Sequence, residues 1–154
     1  MIKHLLLIFM LLTLNSCSNI IPANFWIEYE KDLITDSSSD HGPFGGTTIV
    51  SWSSEKKKFN KNSLISFAQN NNWKLVDSIT VRNGELNFSE KNYPVELLEQ
   101  YNNFDNYFKN STIYLFETGI IFVKSGNSDE TQVNGFLILN QAKTNLKAFH
   151  KWGE

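Results

Sequence analysis

The fold is decided by residues 112–124, whose sequence is TIYLFETGIIFVK. Two apolar runs rich in β-branched and aromatic residues, 112–117 and 120–124, flank the dipeptide Thr118-Gly119, which is typical of two strands joined by a tight turn. A further apolar run, 133–140, follows a polar loop. These segments predict an antiparallel β-meander in the C-terminal part of the chain.

The last segment, 146–152, fits either a strand or a helix. A helix would scatter its apolar residues, whereas a strand places on one face Leu146, Ala148, His150 and Trp152. Because a loop of hairpin length precedes this segment, we expect it to form the last strand of the meander.

Upstream of the meander, two helices are predicted. Asn60 or Asn62 can cap the first, whose narrow apolar stripe consists of Leu64, Phe67 and Ala68. Pro94 suits the first position of the second helix, and Asn110 ends it. The longer apolar stripe of this second helix consists of Leu97, Tyr101, Phe104 and Phe108.

The remaining segments predict short strands and turns. Apolar or β-branched composition indicates strands at 25–29 and 47–53, separated by an exposed loop at 36–40 and a glycine-rich turn at 41–46. Residues 73–81 alternate, so that one face carries Trp73, Leu75, Ile79 and Val81, with Asp77 interrupting it. The dipeptide Asn83-Gly84 predicts a hairpin turn after this strand.

Together these elements define a fold class. Helices occur but do not alternate regularly with strands, so a parallel doubly wound sheet is not expected. We expect an α+β domain over residues 25–154, with a mainly antiparallel twisted sheet, two helices packed on one face and the C-terminal β-meander.

The first 17 residues match the pattern of an export signal. Lys3 and His4 precede an apolar run at 5–12, and the sequence Leu14-Asn15-Ser16-Cys17 follows. This ending resembles the lipobox of bacterial lipoproteins, which implies cleavage before Cys17 and attachment of a lipid to its sulfur. The resemblance implies a signal peptide at 1–16 and a lipidated tether at 17–24.

Two alternatives to a lipoprotein are plain secretion and an uncleaved membrane helix. The apolar run is too short for the second, since spanning about 30 Å of hydrocarbon takes about 20 residues. The resemblance places the protein in the cell envelope, anchored to a membrane through Cys17. With Ser18 after the cysteine, the resemblance implies sorting to the outer membrane, on the periplasmic side or at the surface, if the cell is Gram-negative.

Composition narrows the possible functions. The net charge of −2 gives no basic excess for nucleic-acid binding. Cys17 is the single cysteine, so its lipidation would leave no thiol for a disulfide, a thiolate nucleophile or a cysteine-ligated zinc. The sequence contains no metal-binding motif and predicts neither a metal nor a cofactor.

A few residues could bind a ligand or act chemically. Asp40 and His41 stand beside Gly45 and Gly46, where an imidazole and backbone N–H groups could meet one ligand, as in a general base or metal site. An ordinary polar turn would have the same composition. His150 is either a functional group or a buried, hydrogen-bonded histidine, and Asp77 needs a partner or a raised pKa if it is buried.

Three functions fit these features. The first is an envelope lipoprotein whose domain binds another envelope protein or serves as a structural accessory, without enzymatic activity. The second is an immunity lipoprotein that neutralises a delivered toxin. The third is a hydrolase or metal-dependent enzyme that uses Asp40 and His41, with or without His150. We expect the first, since no catalytic constellation stands out in the sequence.

Overall fold

The computed structural model describes residues 22–86, 108–123, 126 and 130–154. Its strands are β1 Ile34–Gly42, β2 Gly45–Ser53, β3 Lys74–Arg82, β4 Glu85–Leu86, β5 Ser111–Val123, β6 Glu130–Asn140 and β7 Asn145–Gly153. One α-helix, α1, spans Lys61–Asn70, and two 3-10 helices span Asn24–Glu28 and Lys31–Leu33.

The strands form one sheet in the order β1-β2-β7-β6-β5-β3-β4, and neighbours in this order are antiparallel. The end of β5 also reaches the end of β7, where Phe122 pairs with Gly153 in a parallel contact. One end of the sheet therefore brings together the β1–β2 turn and the last residues of β5 and β7.

The predicted α+β fold with two packed helices is wrong. The part of the chain that the structure describes is mainly β, with six long antiparallel strands, the two-residue β4 and one α-helix. Almost all of the second predicted helix, at 94–109, lies outside the described residues. The polar segment around residue 38 forms a strand instead of a loop, which adds to the β content.

The N-terminal segments differ from the predictions because tertiary contacts decide their conformation. Residues predicted as an exposed loop, 36–40, belong to β1, whose pairing with β2 overrides its low strand propensity. The segment 25–29, predicted as a strand, forms a 3-10 helix instead. Its spacing of three residues buries both Trp26 and Tyr29, and the Trp52 Nε1 donates to the Tyr29 carbonyl at 2.7 Å.

A β-bulge in β3 divides the predicted apolar face. The pairing shifts between Leu75 and Asp77, which leaves Val76 as an extra residue. Beyond the bulge every side chain changes face. Trp73 and Leu75 therefore pack on one side of the sheet, whereas the prediction of a single shared face with Ile79 and Val81 is wrong.

The stretch 112–124 also differs from its prediction. Instead of two strands joined by a turn, its described residues, 112–123, belong to the single strand β5, whose pairing with β6 breaks between Glu117 and Phe122. Gly119, at φ 77°, lies within this interruption. Gly119 therefore marks an irregularity in the backbone, as its sequence suggested. The chain does not reverse direction there, because the parts of β5 before and after the interruption both pair with β6.

Several local predictions are confirmed. Asn60 caps α1 by accepting from the backbone N–H groups of Asn62 and Ser63 at 2.8 and 3.2 Å. The turn at Asn83-Gly84 joins β3 to β4, and both residues have positive φ, as a hairpin of this composition requires. The predicted strands at 47–53, 133–140 and 146–152 correspond to β2, β6 and β7.

The core has two layers, one on each side of the sheet. Leu115 and Phe116 are consecutive in β5 and lie in different clusters, as opposite faces of a strand require. Helix α1 and the 3-10 helices cover the first cluster, which includes Trp26, Trp52, Phe59, Leu64, Trp73, Phe116 and Leu137. The second cluster includes Ile79, Phe108, Ile113, Leu115, Phe136 and Phe149.

Candidate functional site

The interruption in β5 creates a buried polar cluster of Thr118, Asn134 and His150. The Thr118 hydroxyl donates to the Asn134 Oδ1 at 2.8 Å and lies 3.1 Å from the His150 Nε2. Asn134 Nδ2 donates to the backbone carbonyls of Ile120 and Lys151 at 2.9 and 2.7 Å. Asn134 therefore ties the interrupted part of β5 to the end of β7.

These hydrogen bonds define the protonation of His150. Because the Thr118 proton is directed at Asn134, the Nε2 of His150 must carry a proton and donate to the Thr118 oxygen. The Nδ1 then holds a lone pair, and this buried atom has no hydrogen-bond partner among the described residues. Burial lowers the pKa of His150 from 6.5 to about 4, so the imidazole is neutral near pH 7.

Aromatic rings enclose the same histidine. The Trp152 ring stacks on His150 with centroids 5.3 Å apart, and Trp73 lies against it at 5.4 Å. Gly135 completes this wall, because a Cβ there would lie 2.7 Å from the Trp73 Cζ3. With only 1 % of its surface exposed, His150 has no access to a substrate and acts as a packing and hydrogen-bonding group.

The candidate residues Asp40, His41, Gly45 and Gly46 lie at the β1–β2 hairpin. His41 pairs with Gly46, which in turn pairs with Trp152. The indole of Trp152 covers Gly46 so closely that a Cβ would lie 2.6 Å from its Cζ2. These glycines therefore allow strands and an indole to approach one another, and no cradle of N–H groups around an imidazole is formed.

The geometry does not join the candidate residues into one catalytic centre. Asp40 and His41 are consecutive in a strand, so their side chains point to opposite faces. His41 is exposed and lies two strands away from β7, a separation of roughly 10 Å at the usual strand spacing, whereas His150 is buried. A shared catalytic point within about 3–5 Å is not available to them.

Asp77 lies at the bulge of β3, away from the hairpin. Its Oδ1 accepts from the Ser78 backbone N–H at 2.7 Å, and the residue is half-buried. In the sequence, Asp77 interrupts a series of alternating apolar residues. The bulge accounts for this, because it places Asp77 on the face of the sheet opposite Trp73 and Leu75. Within the described ranges, no group of three histidine, cysteine, aspartate or glutamate side chains is placed to hold a metal ion.

A polar cleft of about 430 Å³ opens at the other end of the sheet, where β2 ends and β7 begins. Five of its eleven lining residues carry a hydroxyl group, and Lys147 places its Nζ 5.5 Å from the centre of the Phe108 ring. The residues that line it include Ser51, Ser53, Glu55, Thr144 and Lys147. Sequence analysis missed this cleft and the partners of His150, because both combine residues distant in sequence.

Three of the four large apolar side chains that are exposed among the described residues lie at the end of the sheet that holds the hairpin turn, and the fourth, Val76, lies at the bulge of β3. Phe44 is 76 % exposed, and Ile120 and Ile121 are 38 and 40 % exposed. Gly153 lies between the hairpin turn and the end of β5, because it contacts the Phe44 backbone on one side and pairs with Phe122 on the other. We name these three residues, Phe44, Ile120 and Ile121, the apolar end.

No protein-family model, no curated protein and no solved structure matches this chain. Among the residues described, no helix is long and apolar enough to cross a membrane. Cys17 lies outside the described residues.

Proposed function

We propose that this chain is a lipid-anchored protein of the cell envelope whose domain binds another envelope protein and catalyses no reaction. The observation that carries the binding proposal is the edge strand β1, nine residues long, in which residues 35–42 are all exposed. The lipobox-like sequence that ends at Cys17 supports the anchor.

An exposed edge strand offers unpaired backbone N–H and C=O groups, and an extended segment of a partner can add to it as a further strand. Among the strands of the described residues, β1 ends the sheet on one side, beyond β2. Its side chains are polar, which keeps the edge soluble without a partner. Binding through this edge would rely on backbone hydrogen bonds, with specificity supplied by the side chains on either face.

The charges of β1 favour a partner other than a second copy of the chain. Asp36 and Asp40 are four residues apart without a bulge between them, so they share one face with Ser38. Antiparallel pairing of two copies about Ser38 would place Asp36 of each opposite Asp40 of the other, and like charges in that position are destabilising. A partner strand with lysine or arginine at those positions would fit.

A toxin delivered by neighbouring cells is one protein that could bind in this way, in which case the chain is an immunity lipoprotein. A toxin gene directly upstream would favour this second candidate, and an isolated gene would count against it. The edge strand serves both candidates, and they differ only in the partner.

A site-specific crosslinking experiment in intact cells tests the binding proposal. A photoreactive phenylalanine analogue replaces Ser38 in β1 or, as the control, Asn70 at the exposed end of α1. We expect a discrete adduct with one envelope protein from position 38, and its loss when Asp36→Lys and Asp40→Lys are added. Identical adducts from positions 38 and 70, or an adduct that persists after charge reversal, would contradict binding through β1.

A further inference from the structure

The apolar end lies close to the point where the described chain begins. The Thr48 hydroxyl donates to the carbonyl of Pro22 at 3.0 Å, which fixes the start of the domain against β2. Thr48 is three residues from Gly45, the first residue of β2, and this corresponds to about 10 Å along the strand. The hairpin tip with Phe44 is therefore near the entry point of the tether.

The tether proposed above restricts how far this region can be from a membrane. Five peptide units separate Cys17 from Pro22, and a fully extended chain of that length reaches no more than about 18 Å. The lipid-bearing sulfur would lie at the bilayer surface. Along β2, the end of the sheet at Gly45 lies about 10 Å from Thr48 and the end at Ser53 about 17 Å, so the hairpin end is the nearer of the two to the tether.

We infer that the apolar end, Phe44 together with Ile120 and Ile121, inserts into the interfacial region of the bilayer to which Cys17 is anchored. This inference rests on the proposed lipid anchor. Apolar side chains of interfacial segments bury themselves about 5–10 Å into the boundary between headgroups and acyl chains. The contact gives the tethered domain a defined orientation.

The charges around the apolar end indicate which force drives the contact. Lys151 places its Nζ 4.8 Å from the centre of the Phe122 ring, while Glu154, Asp40 and the half-buried Glu117 stand near the same end. Because Glu117 is paired with the exposed Lys74 at 3.0 Å and the charges described at this end show no basic excess, attraction to anionic headgroups contributes little. Burial of the exposed apolar surface is the driving force, and the occupant that fits is the lipid interface.

The test uses the full lipidated chain reconstituted in vesicles of phosphatidylethanolamine and phosphatidylglycerol. Phe44→Cys introduces a thiol that is labelled with an environment-sensitive fluorophore, since the acylated Cys17 cannot react. The matched control is Glu55→Cys, an exposed position just beyond the opposite end of β2. We expect a blue shift at position 44 and loss of its emission with nitroxide-labelled lipids, and neither change at position 55.

Each remaining outcome has a definite meaning. Equal, solvent-like emission from positions 44 and 55 in chains with one reactive thiol would overturn the insertion alone. Two reactive thiols per chain, without flotation of the protein with vesicles, would overturn the anchor and this inference with it. Shielding of position 44 in cell envelopes but not in vesicles would assign the apolar end to a protein partner instead. Adding Ile121→Asp should weaken the shielding if the contact is lipid.

Discussion

His150 is the residue whose environment most clearly makes stability depend on pH. Burial lowers its pKa from 6.5 to about 4, so the unfolded chain binds a proton between these values that the folded chain does not bind. The contribution of the neutral imidazole is fully present above about pH 6.5, falls as the pH drops and is lost below about pH 4. The total loss corresponds to about 3 kcal/mol.

Urea unfolding at pH 7.5 and pH 4.5 measures this loss. Carboxylates also titrate in this range, so the informative quantity is the difference in the pH dependence of the unfolding free energy between wild type and His150→Gln. The glutamine amide can contact Thr118 but does not titrate. We expect a clearly smaller pH dependence in the variant. Equal pH dependence in both chains would mean that His150 is accessible to protons in the folded state.

Gly135 permits the contact between β6 and Trp73. A Cβ at this position would lie 2.6 Å from the Thr118 Cγ2 and 2.7 Å from the Trp73 Cζ3, so Gly135→Ala should destabilise the fold by about 1–3 kcal/mol. The matched control is Gly42→Ala, where the nearest atom would be 3.9 Å away. Chemical denaturation should show a change of no more than about 0.5 kcal/mol for Gly42→Ala. Similar losses in both variants would refute the packing role of Gly135.

Among the elements, α1 depends on its N-terminal cap. Asn60 accepts from two backbone N–H groups that have no partner inside the helix. Asn60→Ala should lower the free energy of unfolding by about 1 kcal/mol. Asn62→Ala, two residues into the same helix and also exposed, should be neutral or slightly stabilising because alanine has the higher helix propensity. Chemical denaturation of both variants measures these changes in the free energy of unfolding. A larger decrease for Asn62→Ala than for Asn60→Ala would contradict Asn60 as the cap.

The elements that sequence reasoning predicted correctly are those with local signals. The Asn60 cap, the Asn83-Gly84 turn and the alternation of β7 each depend on residues within a few positions of one another. The failures are non-local. β1 is a strand only because β2 pairs with it, and the extra residue Val76 changes faces only through the register with β5.

The polar cluster shows the same limit for the candidate site. His150 was identified as a residue on an apolar face, which is where β7 places it. Its partner Thr118 lies 32 residues earlier in the sequence, in a dipeptide predicted to be a turn. Only the interruption of pairing in β5 brings that hydroxyl to the imidazole, and no pattern in the sequence encodes the register that causes it.

For the whole molecule, the decisive test is the proposed anchor. Cys17→Ser removes the only thiol of the chain, so lipid attachment is no longer possible. We expect the variant to retain the mass of its uncleaved signal and to carry no lipid, while the wild type loses the signal and gains the mass of its lipid. Ser16→Ala serves as the control, since it keeps a small residue before the cleavage site. A Cys17→Ser product that still fractionates with membranes at unchanged mass would refute the lipoprotein proposal.

The uneven distribution of tryptophan between the two layers has a consequence for spectroscopy. Trp26, Trp52 and Trp73 lie in the first cluster, and Trp152 stacks on His150 on the same side. The aromatic rings of the second cluster are all phenylalanine. Indole fluorescence therefore monitors only one side of the sheet, and loosening of the other side would pass unseen. If the two layers unfold separately, the transition measured by a backbone probe such as far-ultraviolet circular dichroism would not coincide with the transition measured by fluorescence.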